Sequence, residues 1–262
     1  LPPTRSGLEM KVLTEGPRAM AYRTTADPSF HEDPGTKHEF DQLVAAATQV
    51  FIEQGYRRTQ LADIAAAMGV AKGTLYLYVE SKEALFHAVV IHADRIERID
   101  LPEALPVATP APGATLEEVR KRVAENADLP AIAEALARRR VSDVRSEVEA
   151  IVRELYTLLS RHRVAIKLLD RCASDYPELA ATWFGTGREG AVELLRHYLE
   201  DRIRRGLLEP VEDPAISARI VLETAVFWAV HRHWDPSPQL ADESVVEKTV
   251  VDFVVRALLG TA

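Results

Sequence analysis

Residues 59–79 read TQLADIAAAMGVAKGTLYLYV. Leu61, Ile64, Ala65 and Met68 share one face of a short helix, and Gly69 stops it. Val70 and Leu75 supply apolar contacts for a second helix that starts near Ala71. Two short helices joined by a tight glycine-containing turn make the helix-turn-helix pattern, here over 60–79. Ala65 and Ala66 are small enough to let the two helices cross closely. In that arrangement the second helix enters the major groove of a duplex with its first residues at the base edges.

The polar side chains of this stretch suit that task. Lys72 can donate to guanine O6 and N7, and the methyl and hydroxyl of Thr74 can meet a thymine methyl or a phosphate. Gly73, between them, lets the backbone come close. Tyr76 and Tyr78 carry phenolic donors for phosphate oxygens. Thr59 and Gln60 open the first helix, whose terminal amides can hold a phosphate. Ser81 caps the following helix, and Lys82 sits in its first turn, where the helix dipole disfavours a cation unless a phosphate receives it. With Arg57 and Arg58 this gives a small basic patch.

Bulk charge argues the other way. The chain of 262 residues has a formal net charge of −8, and phosphate attraction is electrostatic. Within 36–90 the five basic residues Lys37, Arg57, Arg58, Lys72 and Lys82 face six acidic ones, Glu39, Asp41, Glu53, Asp63, Glu80 and Glu83. A patch this small predicts modest affinity per protomer and favours a dimer that reads two half-sites of a palindrome.

Outward from the motif, Phe40, Leu43, Val44, Ala47 and Phe51 form an amphipathic stripe that ends at Gly55, and a further helix is expected from Ser81 to about Ile99. These elements make a three-helix reading domain over 37–90. Residues 1–36 show no sustained periodicity and are expected to be an unordered extension. The sequence begins at Leu1, which suggests a fragment or a misplaced start, with Met10 and Met20 as alternatives. Pro102, Pro106, Pro110, Pro112 and Gly113 mark a loop over 102–113. Beyond it, helices are expected at about 115–138, 142–173, 178–206, 213–234 and 242–259, with Pro130 breaking the first. No strand pattern is seen, so the fold class is all-α, with a larger helical domain over 91–262.

The last two of these helices are apolar over more than one face. Ile216, Ile220, Val221, Ala225, Phe227 and Trp228 mark the first, and Val246, Val250, Phe253 and Val254 mark the second. One side can pack on the core and the other requires a partner. The predicted dimer interface is Ile216, Ile220, Phe227, Val246, Val250, Phe253 and Val254, in a two-fold four-helix arrangement.

The pattern Phe51, Gly55, Tyr56, Thr59, Ile64, Ala65, Gly69, Val70, Gly73, Thr74, Leu75, Tyr76, Ser81, Lys82, Glu83 and Leu85 resembles the TetR/AcrR family of bacterial transcriptional regulators. Two positions depart from it. Ala71 stands where the family has a Ser or Thr cap, and Val79 where an aromatic is usual. The resemblance implies a homodimeric repressor of a palindromic operator in double-stranded DNA, released by a small-molecule effector. It also implies an effector pocket in the larger domain, for which Tyr156, His162, Cys172, Trp183, Phe184, Phe227 and Trp228 are candidate lining. The alternative reading is an all-α carrier or enzyme that keeps a degenerate reading head.

Other signals are weaker. Gly185, Gly187 and Gly190 match G-x-G-x-x-G, but a dinucleotide site needs a preceding strand, and the context is helical. His231 and His233 stand two apart without a third ligand, so no metal is expected. No nucleophile–base motif marks an enzyme, and no cofactor is expected. The arginine runs at 138–140 and near 202–205 read as solvated helix faces. No apolar run approaches the roughly 18–20 residues needed to span a bilayer, and no secretory signal is evident. The lone Cys172 cannot form an internal disulfide, so the expected location is the cytoplasm.

Overall fold

The computed structural model of the chain describes residues 37–94, 102, 104–126, 129–237 and 241–260. The expectation of an unordered segment over 1–36 lies outside them. The regular structure of the described residues is helical, as the sequence pattern requires. Helix α1 (Lys37–Gln54) buries the stripe Phe40, Leu43, Val44, Ala47 and Phe51. The chain then turns at Gly55, whose φ of +83° is left-handed. A Cβ there would stand 2.5 Å from the Asp175 carboxylate, so this turn needs glycine for both reasons. Helix α2 (Leu61–Met68) is closed at its start by Asp63, which accepts a hydrogen bond from the Gln60 amide at 2.8 Å. Helix α3 (Lys72–Leu75) follows, and α4 (Lys82–His92) is capped by Ser81, which accepts from the Ala84 amide at 3.1 Å.

The larger part is built from α5 (Ala114–Glu125), α6 (Pro130–Ala137), α7 (Val144–Arg161), α8 (Arg163–Ala173), α9 (Pro177–Ala180), α10 (Glu189–Arg204), α11 (Pro214–Ala229) and α12 (Glu243–Leu259). Several long periodic stretches are subdivided. Pro130 starts α6 as its first helical residue, where its missing N–H costs nothing. His162 separates α7 from α8. Between α9 and α10 the chain winds as a π-helix over Ala181–Arg188, the stretch that carries Gly185 and Gly187.

The proline-rich loop is not a free linker. Val107 forms an isolated parallel bridge with Val79, at the end of the reading head. The Val107 amide donates to the Tyr78 carbonyl at 2.7 Å, and the Glu80 amide donates to the Val107 carbonyl at 3.0 Å. Thr109 adds its amide to the Glu80 carboxylate at 2.8 Å and its hydroxyl to Ser81 Oγ at 2.8 Å. Residues 107–109 therefore strap the turn between α3 and α4.

Two apolar cores result. The first runs from α1–α4 without a break into α5, α8 and α9, through Leu116, Val119, Leu168, Leu169, Cys172 and Leu179. The second fills the space among α6, α7, α10, α11 and α12. Arg202 is fully buried beside that second core. Its Nε donates to Glu147 at 2.7 Å, and its other donors reach Asp201 and the Ala135 carbonyl. Tyr198 also donates to Glu147, at 3.0 Å. Part of the arginine run near 202–205 is thus an internal tie rather than a solvated face. Removing Glu147 takes one of the two carboxylate partners from the buried Arg202 and the acceptor from the Tyr198 hydroxyl. Glu147→Ala is expected to lower stability by about 3–5 kcal/mol, read as a lower urea midpoint. The paired replacement Glu147→Leu with Arg202→Met should recover most of that loss.

Candidate DNA-reading surface and internal cavity

The reading surface is set by which side chains the head buries. Leu75, Tyr78 and Val79 are fully buried, which turns Ala71, Lys72, Gly73, Tyr76 and Leu77 outward, with Thr74 half-buried between the two sets. Arg57, Arg58 and Gln60 are exposed nearby. Ala71 caps α3 with an extended backbone and has no side-chain acceptor to offer. Gly73 has an ordinary helical conformation, and a Cβ built on it would meet no atom within 4 Å. Nothing inside the protein therefore requires glycine there, although glycine weakens a helix.

Three expected contact residues are placed differently. Thr59 is fully buried, and its hydroxyl donates to the Gly55 carbonyl at 2.7 Å. Tyr78 is fully buried, and its hydroxyl donates to Glu39 at 3.1 Å. Lys82 turns inward: its ammonium donates to the carbonyls of Tyr56 and Thr59 at 3.1 and 3.2 Å and lies 4.5 Å over the Tyr56 ring. The two buried hydroxyls and the half-buried ammonium each find a partner within the head. Arg58 uses its Nε on the Gln54 carbonyl at 2.9 Å. Leu77, 49% exposed, is an outward residue that the sequence reading did not single out.

Beneath the head lies a cavity of about 490 Å³. Its wall is drawn from α4, α5, α7, α8, α10 and α11 and from the π-helix. Of the expected lining residues, His162 and Trp183 are in this wall. The other five are not. Tyr156 is buried in the second core and donates its hydroxyl to Glu243 at 2.9 Å. Cys172 is sealed against α1, where burial pushes its thiol up to about 12 and leaves it unreactive. Phe184 packs on the first core. Phe227 and Trp228 meet edge to face on α11, away from the wall. The residues that the sequence reading missed, such as Val90, Val119, Leu155, Ile166 and Leu194, carry no signal that separates a cavity wall from an ordinary core.

A third surface lies on α11 and α12, which pack side by side. Ile216, Ile220, Phe227, Val245 and Phe253 are between 40% and 63% exposed there. Val246, Val250 and Val254, expected on this surface, instead face the second core and are at most 5% exposed. Thr224 and Thr249, at the helical spacing of this stripe, return their hydroxyls to the Ile220 and Val245 carbonyls at 2.7 Å. The stripe therefore makes few demands on water.

Residues 43–89 match the family model described as bacterial regulatory proteins, tetR family. This domain belongs to the tetR family. The chain is 44% identical over 45 residues to the fatty acid metabolism regulator protein of Bacillus subtilis, a match spanning 17% of this chain and 23% of that relative. It is 52% identical over 42 residues to the HTH-type transcriptional repressor DhaR of a Mycobacterium species, spanning 16% and 21% of the two chains. The chain thus matches less than a quarter of the length of these relatives. Over more of its length it shares a fold with the ketosteroid transcriptional regulator KstR2 of Mycobacterium tuberculosis. That likeness has a TM-score of 0.51 and 14% identity, over 84% of this chain and 94% of the other. Among the described residues no helix is long and apolar enough to cross a membrane.

Gly73 gives a direct check on the outward face. Gly73→Ala should leave stability unchanged or raise it by up to about 1 kcal/mol, measured by thermal unfolding. If this face meets DNA, the same variant should bind a duplex more weakly, because the added methyl points outward into that contact.

Proposed function

We propose that the chain is a dimeric, sequence-specific DNA-binding transcriptional regulator, a repressor whose grip on a palindromic operator is released by a small molecule in the internal cavity. One observation carries this reading: α4 and α8 each bury side chains in the core of the reading head, and each also contributes to the cavity wall. A molecule in the cavity thereby acts on the helices that hold the head. Release follows if it binds one spacing of two heads better than the other. The family of the domain and the regulators and repressors that the chain resembles support the regulatory role.

In this reading Lys72, Thr74 and Leu77 face the bases, while Arg57, Arg58, Gln60 and Tyr76 meet the backbone. Thr59, Tyr78 and Lys82 hold the shape of the head from within. The exposed stripe of Ile216, Ile220, Phe227, Val245 and Phe253 meets its own copy about a two-fold axis, where the buried-back hydroxyls of Thr224 and Thr249 can be covered without loss. Two heads on one palindrome offset the small basic patch of each.

Selection from a random duplex pool, followed by anisotropy at increasing salt, tests this. A palindromic site whose affinity falls steeply with salt is expected. Lys72→Ala should relax preference at one base position by about 1–3 kcal/mol. Phe253→Glu should give a monomer by sedimentation and lose the palindrome. An intact dimer that binds no duplex at low salt would falsify the proposal and leave a carrier or enzyme with a silent head.

A further inference from the structure

We infer that the cavity takes an uncharged, largely apolar molecule and turns away carboxylates and phosphates; this rests on its reading as the effector site. The wall is mostly aliphatic, with Ile91, Val123, Leu129, Leu158, Leu169 and Leu222 among its members. A cavity of about 490 Å³ with such walls suits a small apolar ligand. The charged groups on the wall decide which kind.

Two arginines reach it, Arg122 and Arg188, and each is already held. Arg122 donates its Nε to Glu118 at 2.8 Å and its Nη2 to the Ile91 carbonyl at 2.6 Å. Arg188 makes a forked pair with Glu223, its Nε and Nη2 lying 2.5–3.0 Å from the carboxylate oxygens; Arg219, which also pairs with Glu189 at 2.9 Å, shares that carboxylate at 2.6 Å. Three carboxylates also line the wall, Asp94, Asp170 and Glu125. Asp94 accepts from His162 Nδ1 at 3.0 Å and from the Ala165 amide at 2.9 Å. Asp170 accepts from Trp183 Nε1 at 2.5 Å and lies 3.3 Å from His231 Nε2. Burial pulls the His231 imidazole below its ordinary value. Glu125 lies 3.9 Å from Lys121.

Among the described wall residues, then, the cations are spent on carboxylates of the protein and the remaining carboxylates outnumber them. An anionic ligand would give up water for an apolar chamber with a negative surplus and no waiting cation. An uncharged ligand pays no such cost. A cationic one finds Asp94 and Asp170 already occupied by donors. Gly187 and Gly190 of the glycine-rich motif lie on the wall with Arg188, whose guanidinium is turned onto Glu223.

Calorimetry on the full chain, with probes matched in size and differing in charge, tests the inference. The pairs are decan-1-ol with decanoate and naphthalene-2-methanol with naphthalene-2-carboxylate, and decylamine is the cationic control. At least one uncharged member should bind, and its anionic counterpart should bind about tenfold more weakly or worse. Glu223→Gln frees Arg188, and Glu118→Gln frees Arg122 on another helix. Either substitution should narrow that ratio by bringing the anion in, with the uncharged probe little changed. The inference is overturned if an anion binds the wild-type chain as well as its uncharged partner, or if decylamine binds best. It is equally overturned if no uncharged probe binds, or if both variants keep the wild-type ratio. Should the charge selectivity hold while bound probes leave operator affinity untouched, the effector reading fails and the selectivity stands.

Discussion

The packing of α8 beneath α1 is the constraint on which the rest of the molecule depends. Leu168, Leu169, Cys172 and Ala173 belong to the same buried cluster as Phe40, Leu43 and Phe51, so the core of the reading head does not end at the head. Polar ties fix the register of that contact. Asp175 accepts from the Arg57 amide at 3.2 Å, in the space that Gly55 leaves open. Arg171 reaches the carbonyls of Glu53 and Gln54 that α1 leaves unsatisfied at its end. At the other end of α8, Asp94, just beyond α4, caps its first turn through the Ala165 amide. Head and cavity thus share two helices that are pinned at both ends. A close-packed interior transmits a displaced wall rather than absorbing it.

The head itself is held as one rigid piece. Lys82 binds two carbonyls of the turn between α1 and α2, Tyr78 is anchored on Glu39, and residues 107–109 bridge to the strand-like turn after α3. Since α5 follows that strap directly and also lines the cavity, the chain returns to the reading head by a second covalent route. In the proposed reading, the choice of base is left to the few side chains that face outward.

Much of this was legible in the sequence. The stripe of α1, the stop at Gly55 and the short face of α2 are local patterns whose physics needs no partner; of the two small residues expected at the helix crossing, Ala65 is buried and Ala66 is exposed. The break at Pro130 follows from its missing N–H in the same way. The apolar excess on α11 and α12 signalled apolar residues on more than one face, but not which of them the core would take. Val246, Val250 and Val254 went to the core while Val245 and Phe253 went outward, a difference of one position on a helix apolar nearly all round.

What the sequence by itself determined was the type of fold and the position of the reading head, because helical periodicity, caps and turn glycines act within a few residues. The tertiary structure decided which polar groups of that head are free. Thr59, Tyr78 and Lys82 have the chemistry of contact residues, yet each finds an internal partner through the fold. It also decided the cavity, because an aliphatic side chain on a wall and one in a core read alike in sequence. They differ only in whether the facing helices leave a gap. The charge character of that gap is decided in the same way: Arg188 and Glu223 stand 35 residues apart and pair only when the π-helix meets α11.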